Sequence, residues 1–210
     1  MKFAKEGYRV ALWPVAAAVG AFVVGYPMVA ALSLAAAVPV LLFFRDPARN
    51  SDAGPDELVS PADGLVVAVE RGEAGHRLAP EASTRISIFM SPLDVHVNRM
   101  PTAGRVEDSA YNRGSFKAAY KPKASDINES RATMVVADDG YRFVVVQIAG
   151  WFCRRIVCYL QTGAVALRGH KLGLIMFGSR VDLFLPATAE VLVEPGRRVK
   201  AGLTVVAKRP

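Results

Sequence analysis

The chain has 210 residues and a mass of 22.6 kDa, which leaves room for one ordinary domain and an appendage and excludes a large multidomain machine. Hydrophobic residues make up 52% against 21% charged, so a long disordered chain is excluded as well. Twenty-six Lys and Arg against 19 Asp and Glu give a net +7, which favours an anionic partner: a nucleic acid, a membrane surface or a phosphorylated substrate.

From Val10 to Phe44 there are 35 residues without Asp, Glu, Lys, Arg or His. One helix of that length would measure about 52 Å, too long for a hydrocarbon core of about 30 Å, whereas two helices of about 17 residues each would just span it. Gly25-Tyr26-Pro27 lies near the midpoint and predicts a turn. Residues 1–44 therefore read as a membrane-anchoring hydrophobic hairpin, either crossing twice or lying as a shallow re-entrant loop. Lys2, Lys5 and Arg9 precede it and Arg45 and Arg49 follow it, so the positive-inside bias puts both flanks, and the rest of the chain, on the cytoplasmic side of the cell membrane. A secretory signal peptide would carry an apolar stretch of only about 7–15 residues.

Residues 45–210 have the composition of a folded domain. With Lys2, Lys5, Glu6 and Arg9 assigned to the hairpin, 23 basic and 18 acidic residues remain, a net +5. Short β-type runs dominate, at Gly64–Val69, Arg85–Met90, Met134–Ala137, Arg142–Ala149, Arg154–Leu160, Val181–Leu185, Ala189–Val193 and Leu203–Ala207, separated by Gly, Pro and Asp signals. A helical period is visible only at Ser125–Ala132. The expectation is a mainly β fold, a barrel-sandwich-like antiparallel domain behind an N-terminal helical hairpin. The turns around Ser60–Val66 and Val193–Gly202 echo one another in the manner of lipoyl- and biotinyl-type barrels, although nothing marks a carrier lysine. Cys153 and Cys158 are too few for a disulfide framework and read as reduced, structural thiols.

No Gly-rich phosphate loop precedes a helix, and His76, His96 and His170 lack the close pairing of a zinc site, so no metal is expected. No stacking platform or recognition motif accompanies the charge, and nucleic acid is not an expected partner. Three segments place polar residues in apolar context: Val59–Gly64, Met90–Pro101 and Leu174–Val181. Each has an ordinary explanation by itself. Asp63-Gly64 is a turn dipeptide, His96 between two valines is a hydrogen-bonded strand residue, and Gly178-Ser179 interrupts a strand as a bulge would.

Together, and in this order, the segments resemble the phosphatidylserine decarboxylase family, in its short bacterial and archaeal branch. The residues that carry the resemblance are Phe43-Phe44-Arg45-Asp46-Pro47, Ser60-Pro61-Ala62-Asp63-Gly64, Ser91-Pro92-Leu93-Asp94-Val95-His96-Val97-Asn98-Arg99, Gly114-Ser115-Phe116 and Phe177-Gly178-Ser179-Arg180, nearly the whole length of the chain. The resemblance implies a proenzyme that cleaves itself between Gly178 and Ser179 into a β chain, 1–178, and an α chain, 179–210. Ser179 Oγ would attack the Gly178 carbonyl carbon to give an ester, elimination would leave dehydroalanine, and hydrolysis of its imine tautomer would release ammonia and leave a covalent pyruvoyl cofactor. That ketone would form a Schiff base with phosphatidylserine, and loss of carbon dioxide would give phosphatidylethanolamine.

The resemblance also assigns Asp63 and a histidine to a charge relay that assists Ser179. His96 matches the histidine tied to decarboxylation, while a second histidine found three residues later in larger members is Arg99 here, which cannot act as a base. His170 is a more distant substitute. Arg99, Arg113, Lys117, Lys121 and Lys123 are candidates for binding the substrate's phosphate and carboxylate or anionic lipid, with Phe116 and Tyr120 interleaved. The partners implied are phosphatidylserine, membrane lipid and the two chains of one proenzyme for each other, and a homodimer is allowed. The competing readings are a pyruvoyl decarboxylase for another amino acid and a non-catalytic membrane-tethered barrel.

Overall fold

A computed structural model describes residues 2–72, 75–114, 128–150, 155–176 and 179–210. The chain forms two compact units, Met1–Ala48 and Arg49–Pro210.

In the first unit, α1 (Lys5–Val23) and α2 (Pro27–Phe43) flank the expected turn. Gly25 has φ +87°, a left-handed conformation that glycine adopts without a Cβ clash, and Pro27 occupies the first helical position, where a missing N–H leaves no bond unmade. At the open end β1 (Lys2–Phe3) pairs with β2 (Arg45–Asp46), and the Ala4 N–H donates to the Phe44 carbonyl at 2.8 Å. Ala11 and Ala18 of α1 and Ala30 and Ala37 of α2 are buried at seven-residue spacing, a seam of small side chains that lets two helices approach closely. The outer surface leaves Leu12, Trp13, Phe22, Met28 and Leu32 exposed. Neither helix is long and apolar enough to cross a membrane: α1 begins with Lys5, Glu6 and Arg9, and α2 has 17 residues.

The second unit is built from β3 (Glu57–Val59), β4 (Gly64–Arg71), β5 (Ala82–Met90), β6 (Val97–Arg99), β7 (Gly104–Asn112), β8 (Ser130–Val136) and β9 (Arg142–Ile148). There follow β10 (Ile156–Cys158), β11 (Val165–Ala166), β12 (Lys171–Ile175), β13 (Ser179–Pro186), β14 (Glu190–Val191), β15 (Arg198–Val199) and β16 (Val205–Lys208). An eight-stranded sheet runs β11-β7-β8-β9-β13-β5-β4-β15, beside two three-stranded sheets, β10-β12-β6 and β14-β16-β3. The ladders are antiparallel, so the mainly β, sandwich-like class expected from the turn spacing is the one observed.

Strand alternation sorts the side chains of β13 onto two faces. Val181, Leu183 and Leu185 enter the main core with Ile86, Ile88, Met90, Phe143 and Val145. Phe184 enters a second core with Val144, Val146 and Ile148. Leu172 and Ile175 of β12 and Leu58 and Val206 of the third sheet also belong to the main core, so both small sheets close over that face.

The helix expected at Ser125–Ala132 is not observed in its described part, since Ser130–Ala132 opens β8. Residues of β8 pair with β7 on one side and β9 on the other, and this two-sided pairing outweighs a short helical pattern. The two echoing turns meet: Arg198 pairs with Leu65 and Val199 with Gly64. Gly64 has φ +150°, and a Cβ there would lie 2.1 Å from the Phe89 carbonyl oxygen.

Tyr141, just before β9, packs on the main core with its hydroxyl buried and without a hydrogen-bond partner among the described residues. Burial pushes its phenol up to about 12 from an ordinary 10. The folded chain therefore holds this proton longer than the unfolded chain, and stability present below pH 10 is lost as pH rises from 10 to about 12. Tyr141→Phe is expected to be at least as stable as the parent at neutral pH and to lose less between pH 10 and 12, which urea melts across that range would test.

Candidate active site

Ser179 opens β13 and is fully buried. Gly178, the other half of the expected cleavage junction, lies outside the described residues. The strand is held by its neighbours from its first residues: Ser179 pairs with Met90, and Arg180 pairs with Phe89 on one side and Ile148 on the other. On the second-core face Arg180 and Asp182 form a buried ion pair, Nε to Oδ1 2.6 Å, and Arg180 also donates to Ser87 Oγ at 2.6 Å. These bonds pin the strand beside the serine.

On the main-core face Ser179 Oγ lies 3.5 Å from the Met90 sulfur. Asn98 Nδ2 approaches the same sulfur at 3.6 Å, and Gln147 Nε2 donates to Asn98 Oδ1 at 2.8 Å. The register explains the grouping. Gln147 pairs with Val181 and shares its face, and Asn98 on β6 pairs with Gly173 of β12. Sequence reading did not single out Asn98 or Gln147, although a Gln inside Phe143–Ile148 was a visible anomaly in an apolar strand.

His96 is buried two residues before Asn98, with Nδ1 2.9 Å from the Asp94 carbonyl oxygen. A carbonyl accepts only, so Nδ1 carries the hydrogen there, and the other ring nitrogen is the basic one of a neutral imidazole. Asp94 organises the preceding turn by accepting from the Ser91 N–H at 2.8 Å and Ser91 Oγ at 2.7 Å.

Asp63 is drawn elsewhere. Arg49 grips both its carboxylate oxygens, and the Ala201 N–H donates to Oδ1 at 2.7 Å. Arg49 also donates to the Ala201 carbonyl at 2.6 Å. The structure thus joins Asp63 to Arg49 and Ala201, and joins the Nδ1 side of His96 to the Asp94 backbone. Arg99 is buried and donates to the Gly169 carbonyl at 2.8 Å. It lines a cavity of about 700 Å³ with Arg49, Arg168, His170 and Lys171, a setting suited to an anion. Arg113 is exposed beyond β7. Phe116, Lys117, Tyr120, Lys121, Lys123 and Cys153 lie outside the described residues. Cys158 is a free, half-buried thiol whose sulfur is 3.2 Å from the Leu160 carbonyl, and the described residues contain no metal-binding group of His, Cys, Asp and Glu.

The model of a family described as phosphatidylserine decarboxylase matches residues 38–207. The chain belongs to the phosphatidylserine decarboxylase family. Among its relatives is a phosphatidylserine decarboxylase proenzyme of Magnetococcus marinus, 43% identical over 202 residues that cover 96% of this chain and 92% of that one. Proteins of the same name from Syntrophus aciditrophicus and Saccharopolyspora erythraea are 40% and 46% identical, covering 83% and 79% of this chain and 81% and 71% of their own. The family match spans the serine, the buried amides and the cationic cavity alike.

Proposed function

We propose that this chain is a phosphatidylserine decarboxylase proenzyme that cleaves itself between Gly178 and Ser179 and acts on phosphatidylserine at the cytoplasmic membrane surface. The observation that carries the reading is Ser179: a buried hydroxyl at the first residue of a central strand, directed at a weak thioether acceptor, so that no strong hydrogen bond among the described residues restrains the nucleophile. The surroundings fit a pyruvoyl group, since Asn98 holds an N–H donor on the same Met90 sulfur that Ser179 Oγ contacts. Formed from Ser179, that group would supply a ketone able to condense with a primary amine and to take up the electron pair left on the substrate carbon when carbon dioxide departs.

His96 acts in this reading as the proton carrier, holding or delivering a proton at the nitrogen opposite the one engaged by Asp94. Asp63 acts by anchoring Arg49 and the 201 turn, and the cationic cavity around Arg99 receives an anionic group of the lipid. Arg113 and Lys117 are retained as headgroup contacts. Cleavage before β13 leaves that strand hydrogen-bonded to β5 and β9 of the larger fragment, which supports lasting association of the two chains.

The test is decarboxylation of vesicles containing phosphatidylserine beside free serine. The reading expects phosphatidylethanolamine and carbon dioxide from vesicles and little turnover of free serine; equal turnover of both would move it to another amine-bearing acid. The exposed apolar surface of α1 and α2 supports insertion of the hairpin into the bilayer, with Lys2, Lys5, Arg9 and Arg45 at headgroup level. Replacing Trp13, Phe22 and Leu32 by Asn together is expected to lower the fraction that floats with anionic vesicles several-fold, and unchanged flotation would assign binding to the second unit.

A further inference from the structure

The polar cluster beside Ser179 is hydrogen-bonded below its capacity. Gln147 is fully buried, its Nε2 is used by Asn98, and its Oε1 has no hydrogen-bond partner among the described residues. Asn98 is equally buried, and its Nδ2 donates to a thioether, among the weakest acceptors in a protein. Natural cores rarely leave amides in this condition. The arrangement is also accommodated by the backbone: a Cβ at Gly173 would lie 3.1 Å from Gln147 Nε2 and 2.1 Å from the Val157 carbonyl, so glycine makes room for the Gln147 amide.

The orientation of Asn98 follows from the network. With Oδ1 accepting from Gln147, Nδ2 must face the Met90 sulfur, which Ser179 Oγ also contacts; the flipped amide would set an oxygen against the sulfur, two acceptors in contact. Maturation, as read above, converts residue 179 from a hydroxyl donor into a ketone, which only accepts. The hydrogen-bond demand at that position therefore inverts, and a buried N–H is held on the same weak acceptor, the Met90 sulfur, that Ser179 Oγ contacts.

We propose that Asn98 is the donor that polarises the carbonyl of residue 179 in the mature protein, and that Gln147 is a positioning residue that fixes the Asn98 amide. The inference rests on the proposed self-cleavage. A ketone that accepts an N–H bond is more electrophilic, and loss of one such preorganised donor lowers turnover about 10²–10³-fold.

The experiment uses the full chain labelled with serine carrying ¹³C at Cα. Intact mass first establishes whether the parent splits at 178/179; an unsplit parent overturns the self-cleavage reading and this inference with it. In a parent that splits, two lipid-free readouts follow: the isotope-shifted ketone stretch in the infrared and the rate of oxime formation with hydroxylamine. For cleaved Asn98→Leu the stretch is expected to move to higher frequency and oxime formation to slow at least tenfold. Both at parent values would overturn the inference while leaving the self-cleavage reading intact. Should Asn98→Leu fail to fold or split, Gln147→Met retains Asn98 and side-chain volume. Smaller shifts in the same two directions are expected for it, and parent values for both again overturn the inference.

Discussion

Ser179→Ala is expected to yield a single chain of 22.6 kDa, whereas the parent yields fragments 1–178 and 179–210, the smaller without a free amino terminus. Alanine keeps the strand start and its ladder but removes the oxygen that attacks and the group that later leaves. Decarboxylation of phosphatidylserine should fall to background, a loss larger than any other single substitution here would cause. Ser179→Thr keeps a β-oxygen, and slow, partial cleavage is expected because its added methyl must fit beside Met90, where the serine is already fully buried. Intact mass of the three proteins decides the matter, and cleavage of the alanine protein would remove Ser179 from the chemistry.

The largest stability effect is expected at Asp182. Arg180 is 2% exposed, and its Nε is bound by Asp182 Oδ1. Asp182→Ala leaves a guanidinium inside the sheet with Ser87 as its remaining described partner on that side. Breaking a buried pair by removing one member costs about 3–5 kcal/mol, and each kcal/mol lowers the melting temperature of a domain this size by about 2–4 °C. The double variant Arg180→Met, Asp182→Leu should recover most of the loss, because the expense lies in the stranded charge. Thermal melts of parent, single and double variants test both statements; a single variant that melts with the parent would show that water reaches Arg180.

The pair also shows what a sequence conceals. Arg180 and Asp182 are two apart on a strand, so their shared face was readable from alternation, but that the face is interior was not, because its burial depends on distant residues, among them Leu78, Ala79 and Val146, that pack with Phe184 on the same face. Asp63 illustrates the same limit. Its turn was legible from Asp-Gly, yet its partners come from Arg49 and from Ala201, 138 residues away. The two N-terminal helices and the turn between them were legible, since an unbroken apolar run and a Gly-Tyr-Pro interruption are local facts.

The sequence by itself determined the two N-terminal helices, the antiparallel β class and the family, because composition, turn chemistry and motif order reside in neighbouring residues. Only the tertiary structure decided that Asp63 meets Arg49 and Ala201, and that Ser179 and the Gln147-bound Asn98 approach one and the same Met90 sulfur. The Gln147–Asn98 and Ser179–Met90 meetings join residues 49 and 89 positions apart, and strand order and register, set by burial of the whole sheet, bring them together.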